Sequence, residues 1–290
     1  MKQYSLPLLL FLLFTACMRE DLSDCPPDEN LILRFSYRVE GKERFHEIAS
    51  SVDVFLFDEE GIPVRWERIE ADRLQKADSI VLTVEKGEYQ LIAWINNGEN
   101  TGIEGVRGET KLPDWELTYK ALTMGEPIYY GEEPLLEITG NDPISYTIEV
   151  IPSYKTVHLY IEGLQDVYGG ENLLPLVRIG NVPDGYDFQK VLQSKTVTLQ
   201  SYCQQVEVSN KEMAYCRFYL PLFEEENKMD ISVVKNSDNT VAGIFKLQEY
   251  IEENDLSNEL EINIHIGFFS GGVEITLPGW NSSGNVTPEF

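Results

Sequence analysis

Histidine is nearly absent from this chain of 290 residues: only His46, His158 and His265 occur. Chemistry built on imidazole therefore has little to draw on. His158 and His265 fall in alternating segments, on the side opposite the apolar residues, where exposed strand positions are expected. There is no GxSxG, no HExxH, no P-loop and no dinucleotide fingerprint. Basic residues are scarce too, 23 against 49 acidic ones, for a formal net charge of −26. Nucleic-acid binding needs a basic footprint, which is missing, and an acidic exterior is repelled by anionic lipid. The four cysteines, Cys17, Cys25, Cys203 and Cys216, match no zinc spacing. The N-terminal apolar run, Leu6 to Phe14, is too short to span a bilayer, which takes roughly 20 apolar residues. These shortages leave an enzyme without visible machinery and imply no cofactor and no metal.

That short run has a different use. Lys2 precedes it, small residues Thr15 and Ala16 follow it, and the chain then turns polar and acidic at Arg19, Glu20, Asp21 and Asp24. A charged start, a short apolar core and small residues before a cut site mark a secretory signal. Cys17 at the cut site makes the stretch resemble a bacterial lipoprotein signal, in which the cysteine becomes the first mature residue and carries the lipid. Phe14 stands where leucine is usual, with Leu13 one place further back. An ordinary signal peptide with a chance cysteine is the alternative. The acidic residues after Cys17 resemble the surface-export signal of Bacteroidetes lipoproteins. Removing residues 1–16 also removes Lys2, leaving 22 basic against 49 acidic residues, about −27.

The acidic clusters Asp58-Glu59-Glu60-Gly61 and Glu224-Glu225-Glu226 lack the alternating carboxylates of a calcium loop and read as turns and solvated faces. A carboxylate pair for glycoside cleavage is made in space, so sequence alone leaves that hydrolase reading open. Trp66, Trp94, Trp115 and Trp280 could form a sugar platform, although Trp94 sits in a strongly apolar strand that suits a core.

Most of the chain reads as short strands. Leu31, Leu33, Phe35 and Tyr37 alternate with polar residues, as do Tyr146, Ile148 and Val150, then Val157, Leu159 and Ile161, then Leu260, Ile262, Ile264 and Ile266. Val52 to Phe57 and Tyr89 to Ile95 are more continuously apolar, as buried strands are. Glycine-rich 96–108 reads as a loop, Asp114 to Leu122 as a short helix with Asp114 as N-cap, Pro127 to Tyr130 as a brief strand, and Leu247 to Asn254 as a helix. After Pro152-Ser153 the strand-turn rhythm restarts. The expected fold is all-β, two tandem β-sandwich domains with little helix: a signal peptide over 1–16, a lipidated linker over 17–29, and domains over 30–151 and 152–290.

Two cysteines have a testable register. With Ser209-Asn210 at the centre of a hairpin turn, Val208 faces Lys211, and counting outward sets Cys203 against Cys216. An exported chain meets an oxidising compartment, so a disulfide there is feasible. Cys25 is then left over.

The order of these features resembles the fimbrial anchor lipoproteins of the Bacteroidales. The residues that carry the likeness are Cys17 followed by Arg19-Glu20-Asp21-Leu22, then Asp24-Cys25-Pro26, the strand Leu31 to Tyr37, Val52 to Asp58 with Gly61, Gly87-Glu88-Tyr89 leading to Ala93-Trp94, and a late Gly279-Trp280. The resemblance covers nearly the whole mature chain, through diffuse motifs. It implies two transthyretin-like sandwiches, no enzymatic activity, a fimbrial shaft subunit (fimbrillin) as partner, and an outer-membrane lipoprotein that fixes the shaft and limits its length. Strand exchange is the physical means expected, with Trp280 to Phe290 as a candidate donor arm. A surface glycan-binding lipoprotein is the alternative function.

Overall fold

The computed structural model describes residues 30–76, 79–140, 142–169, 174–223, 227–236, 239–270 and 272–276. The first half holds β1 (Leu31–Ser36), β2 (Arg38–Val39), β3 (Lys42–Glu43), β4 (Ser51–Phe57), β5 (Pro63–Glu70), β6 (Ile80–Leu82), β7 (Gly87–Ile95), β8 (Thr101–Glu104), β9 (Glu116–Tyr119), β10 (Tyr129–Ile138) and β11 (Ile144–Pro152). The second holds β12 (Tyr154–Glu162), β13 (Leu176–Pro183), β14 (Gly185–Asp187), β15 (Thr196–Tyr202), β16 (Gln204–Val208), β17 (Lys211–Pro221), β18 (Asp230–Val234), β19 (Val241–Lys246), β20 (Glu261–Phe269) and β21 (Gly272–Thr276). Among the described residues, helix is confined to a few short segments, the longest being Leu247–Glu253. The fold is all-β.

Seven strands of the first half run in the order β5-β4-β7-β10-β11-β1-β6. The sheet folds back on itself. β10 and β11 pair over only Tyr129–Gly131 and Val150–Pro152, and Leu31 and Leu33 of β1 share a core with Val52, Val54 and Leu56 of β4. This makes a sandwich whose two leaves are joined at one corner. In the second half a five-stranded sheet, β16-β17-β12-β20-β21, faces a four-stranded one, β15-β13-β18-β19. Their inner residues, among them Val157, Leu159, Val177, Ile179, Phe218, Ile262 and Ile264, form one core. Each half pairs an early strand in parallel with a late one: β1 with β11, and β12 with β20. A parallel pair cannot be made by a hairpin, so the strands between form the crossover in both cases.

The leaf β4-β7-β10 is covered on both sides. All seven residues of β4 are buried. Val52, Val54 and Leu56, with Leu91, Ala93 and Ile95 of β7, point into the first core. Phe55 and Phe57, with Ile92 and Trp94, point into the second. Continuous apolar runs are what a doubly covered strand requires, and Val52 to Phe57 and Tyr89 to Ile95 have that character.

Three local expectations need correction. Asp114 to Leu122 is not a helix: a 3₁₀ turn, Leu112–Asp114, leads into the strand β9. Leu117 and Tyr119 are buried while Glu116 and Thr118 are half-buried, a two-residue period that outweighs the capping signal at Asp114. The polar stretch 96–108 contributes β8, which pairs with β9 from Thr101↔Tyr119 to Glu104↔Glu116. The brief strand at Pro127 to Tyr130 is the start of the ten-residue β10, whose pairing with β7 is offset between Glu133 and Leu136.

Candidate functional site

The contact between the two halves brings together side chains from distant parts of the chain. β11 ends at Pro152 and β12 begins at Tyr154, which leaves Ser153 alone between them. Ser153 is fully buried and its amide donates to Ile128 O at 2.8 Å. The passage between halves is thus a short buried turn. Beside it, β14 of the second half pairs with β9 of the first, Gly185↔Thr118 to Asp187↔Glu116, forming the three-stranded sheet β14-β9-β8.

Phe188 follows β14 and is fully buried in an aromatic nest from the first half. Its ring centroid lies 4.8 Å from Phe55, 5.6 Å from Trp115, 6.0 Å from Trp94 and 6.2 Å from Phe57. Its amide donates to Trp115 O at 3.0 Å. Two residues earlier, Tyr186 Oη donates to Ser153 O at 2.9 Å and accepts from the Leu222 amide. One side chain therefore ties β14, the passage at Ser153 and the end of β17. The segment 122–124 adds staples to both sheets of the second sandwich. Leu122 N donates to Thr198 O and Gln200 N to Thr123 O, on β15, while Tyr219 N of β17 donates to Met124 O. Gly125 closes that segment at φ +77°, where a Cβ would stand 2.0 Å from Tyr219 O. Only glycine permits both the conformation and the approach.

The electrostatics at this wall are sealed. Asp53 of β4 is fully buried and accepts from Arg68 Nη1 at 2.9 Å, Asn97 Nδ2 at 3.1 Å and Trp66 Nε1 at 3.2 Å. Burial raises its pKa, and those three contacts only partly oppose the rise. On the outer face of the five-stranded sheet, His158 Nδ1 lies 2.9 Å from Tyr215 Oη, and burial lowers the imidazole pKa. His265 lies 3.5 Å from Glu162. These histidines face away from the apolar set, as expected, and each has a neighbouring partner. Among the described residues no group of three or more His, Cys, Asp or Glu could hold a metal ion, and no helix is long and apolar enough to cross a membrane.

The strands that end the sheets differ in character. β5 carries the ion pairs Arg65–Glu67 and Arg68–Glu70, with Arg73 on Glu67, a charged fringe of the kind that discourages strand addition. β19 instead exposes Val241 (52%) and Ile244 (66%), apolar residues on a strand paired with β18 on one side.

Asp58 to Gly61 is a turn: Asp58 Oδ1 accepts from the amides of Glu60 and Ile62, and Gly61 has φ +75°. Glu224-Glu225-Glu226 lies outside the described residues, as do Cys17, Cys25, Trp280 and the tail to Phe290. Trp94 and Trp115 are fully buried and Trp66 is 39% exposed, so the described tryptophans serve the junction and make no flat sugar platform. The hairpin register is as expected, Val208↔Lys211 through Gln204↔Tyr215, and Cys203 and Cys216 are both buried and unbridged. The junction residues Phe188, Tyr186 and Gly125 were not legible, because they meet their partners only through tertiary packing.

Two β-sandwiches sharing a wall, with an aromatic nest between them, define an all-β structural module. The family model of fimbrillin-A associated anchor proteins Mfa1 and Mfa2 matches residues 22–285; the chain belongs to that family. None of the curated proteins compared with it matches. Solved structures share its fold at low identity. A candidate polysaccharide-binding protein of Bacteroides thetaiotaomicron is similar over 86% of this chain and 96% of its own, at 18% identity and TM-score 0.65. A candidate adhesin of Bacteroides ovatus is similar over 91% and 96%, at 17% identity and TM-score 0.65. The fimbrial anchor protein Mfa2 of Porphyromonas gingivalis is similar over 86% and 97%, at 15% identity and TM-score 0.63. The family is one of structural anchor proteins associated with fimbriae, which places the chain's work at the cell surface.

Proposed function

We propose that this chain is an outer-membrane lipoprotein, acylated at Cys17, that holds a fimbrial shaft to the cell surface and limits its length without any enzymatic step. The observation that carries the anchoring role is the family match over residues 22–285; the acylation reading rests on the sequence around Cys17. Units 30–151 and 152–290 form the stalk, coupled through the buried passage at Ser153 and the nest around Phe188. Between Cys17 and Leu31 lie fourteen steps of chain, which at about 3.3–3.6 Å each reach no more than ~50 Å. The stalk therefore stays close to the membrane. Acyl chains contribute about 0.8 kcal/mol per buried methylene, and two chains make such attachment stable. The shaft subunit, a fimbrillin, joins by strand exchange. The apolar, solvent-facing side chains of β19 support a contact there, and the tail 280–290 supplies a candidate donor arm.

Affinity purification of an epitope-tagged chain from gently solubilised envelopes tests this reading. The shaft subunit should co-purify and be lost under conditions that melt β-sheet pairing. Recovery of the chain bound to surface polysaccharide, with no shaft subunit, would favour the glycan-binding alternative that the Bacteroides thetaiotaomicron neighbour suggests.

A further inference from the structure

Cys203 occupies a corner. It is the single residue between β15, in the four-stranded sheet, and β16, in the five-stranded sheet. Its amide donates to Pro175 O at 2.9 Å, so the chain turns from one sheet to the other at this residue. Cys216 lies on β17, in the core between the sheets. The turn joining β16 to β17 fixes their relation. Ser209 and Asn210 sit at φ 53° and 63°, the paired positive values of a two-residue hairpin turn that matches strand twist. The flanking pair Val208↔Lys211 is the hydrogen-bonded kind, and the kinds then alternate outward through Gln204↔Tyr215. Continued one step, this register sets Cys203 against Cys216 as a pair of the non-hydrogen-bonded kind. Cα atoms of such pairs typically lie about 4.5 Å apart, inside the span that a disulfide bridges. The two thiols are hydrogen-bonding neighbours, with Cys203 6% and Cys216 3% exposed.

We propose that Cys203 and Cys216 close a disulfide that staples this corner of the second sandwich. The proposal rests on the export reading for its oxidant, which is a disulfide-bearing thiol oxidoreductase or glutathione disulfide. One cysteine thiolate attacks a sulfur of the oxidant's disulfide, giving a mixed disulfide and one released thiolate. The second cysteine thiolate then displaces the oxidant's remaining sulfur. One Cys–Cys bond has formed, the oxidant's bond has broken, and two electrons have passed to the oxidant, whose thiolates take up the two cysteine protons. Burial pushes the Cys216 thiol well above its usual range, and the hydrogen bond it shares with Cys203 acts in the same direction. Thiolate is scarce once the core has formed, so closure belongs to folding after export. A depression of about 410 Å³, lined by Tyr202, Gln204, Tyr215 and Cys216, gives a small disulfide a path to Cys216.

The full chain, isolated from the cell envelope and alkylated on denaturation without reductant, tests this by peptide mass. Trypsin cuts after Lys195, Lys211 and Arg217, so a bridge joins peptides 196–211 and 212–217 into one species two hydrogens lighter than their sum. That species should dominate and disappear on reduction. Reduction should also lower the Tm by about 5–10 °C, and by nothing in a Cys203→Ser/Cys216→Ser double variant. A second arm exposes the purified, reduced chain to glutathione disulfide in mild denaturant. Both cysteines alkylated in both arms would overturn the pairing. A bridge formed only in the second arm would support the pairing and overturn the export reading.

Discussion

Replacing Phe188 with alanine should uncouple the two halves of the molecule. The ring is fully buried and meets four aromatic rings of the first half at 4.8–6.2 Å. Removing a buried phenylalanine ring costs about 3–5 kcal/mol through lost transfer energy and the cavity left behind. The nest cannot collapse onto that cavity easily, because Trp94 is held on the doubly covered wall and the Trp115 indole donates to Thr110 O at 2.9 Å. We therefore take about 4 kcal/mol, a large share of the 5–15 kcal/mol that typically holds a folded domain. Phe188→Leu fills much of the space and should cost about half as much. Denaturant unfolding followed by two probes reads the effect. Tryptophan fluorescence reports the junction, where Trp66, Trp94 and Trp115 lie, and far-UV circular dichroism reports both sandwiches. In the unsubstituted chain the two transitions should coincide; in Phe188→Ala fluorescence should change first and the circular dichroism should become biphasic. A loss below about 1 kcal/mol with coincident transitions would refute the claim that the nest couples the halves.

Gly125→Ala should destabilise by at least about 1–3 kcal/mol, since it combines a positive φ with a Cβ directed at Tyr219 O; an unchanged thermal midpoint would show that the 122–125 staple is not needed. His158 gives a pH signature. Its folded pKa lies below the unfolded value of about 6.5, so between the two the unfolded state binds more protons. Its contribution is complete above about pH 6.5 and is lost as pH falls toward the folded value. His158→Gln should accordingly lose less stability between pH 7 and pH 5 than the unsubstituted chain, and equal losses in denaturant titrations would contradict this assignment.

The half-buried strands were legible because one covered face imposes a period of two, as in Leu31–Ser36 and Glu261–Phe269. The hairpin register around Ser209-Asn210 was legible because it is set locally by the turn. β9 was not: four residues are too few to separate a strand period from a helix period, and Asp114 imitates a cap. Val52–Phe57 announced burial without announcing that a second core covers its other face. The junction was hidden for the same reason. Phe188, Trp115 and Phe55 lie far apart in sequence, and no local pattern marks residues that meet only through tertiary packing. The proposed lipid attachment, by contrast, rests wholly on the sequence around Cys17.

The account stands most directly on that residue. Cys17→Ala, expressed at the normal locus, should leave the chain folded and bound to shaft protein but release fimbriae from the cell surface into the medium, measured by fractionation and electron microscopy. Fimbriae retained on cells at normal number and length would contradict the claim that this lipidated cysteine is the anchor point.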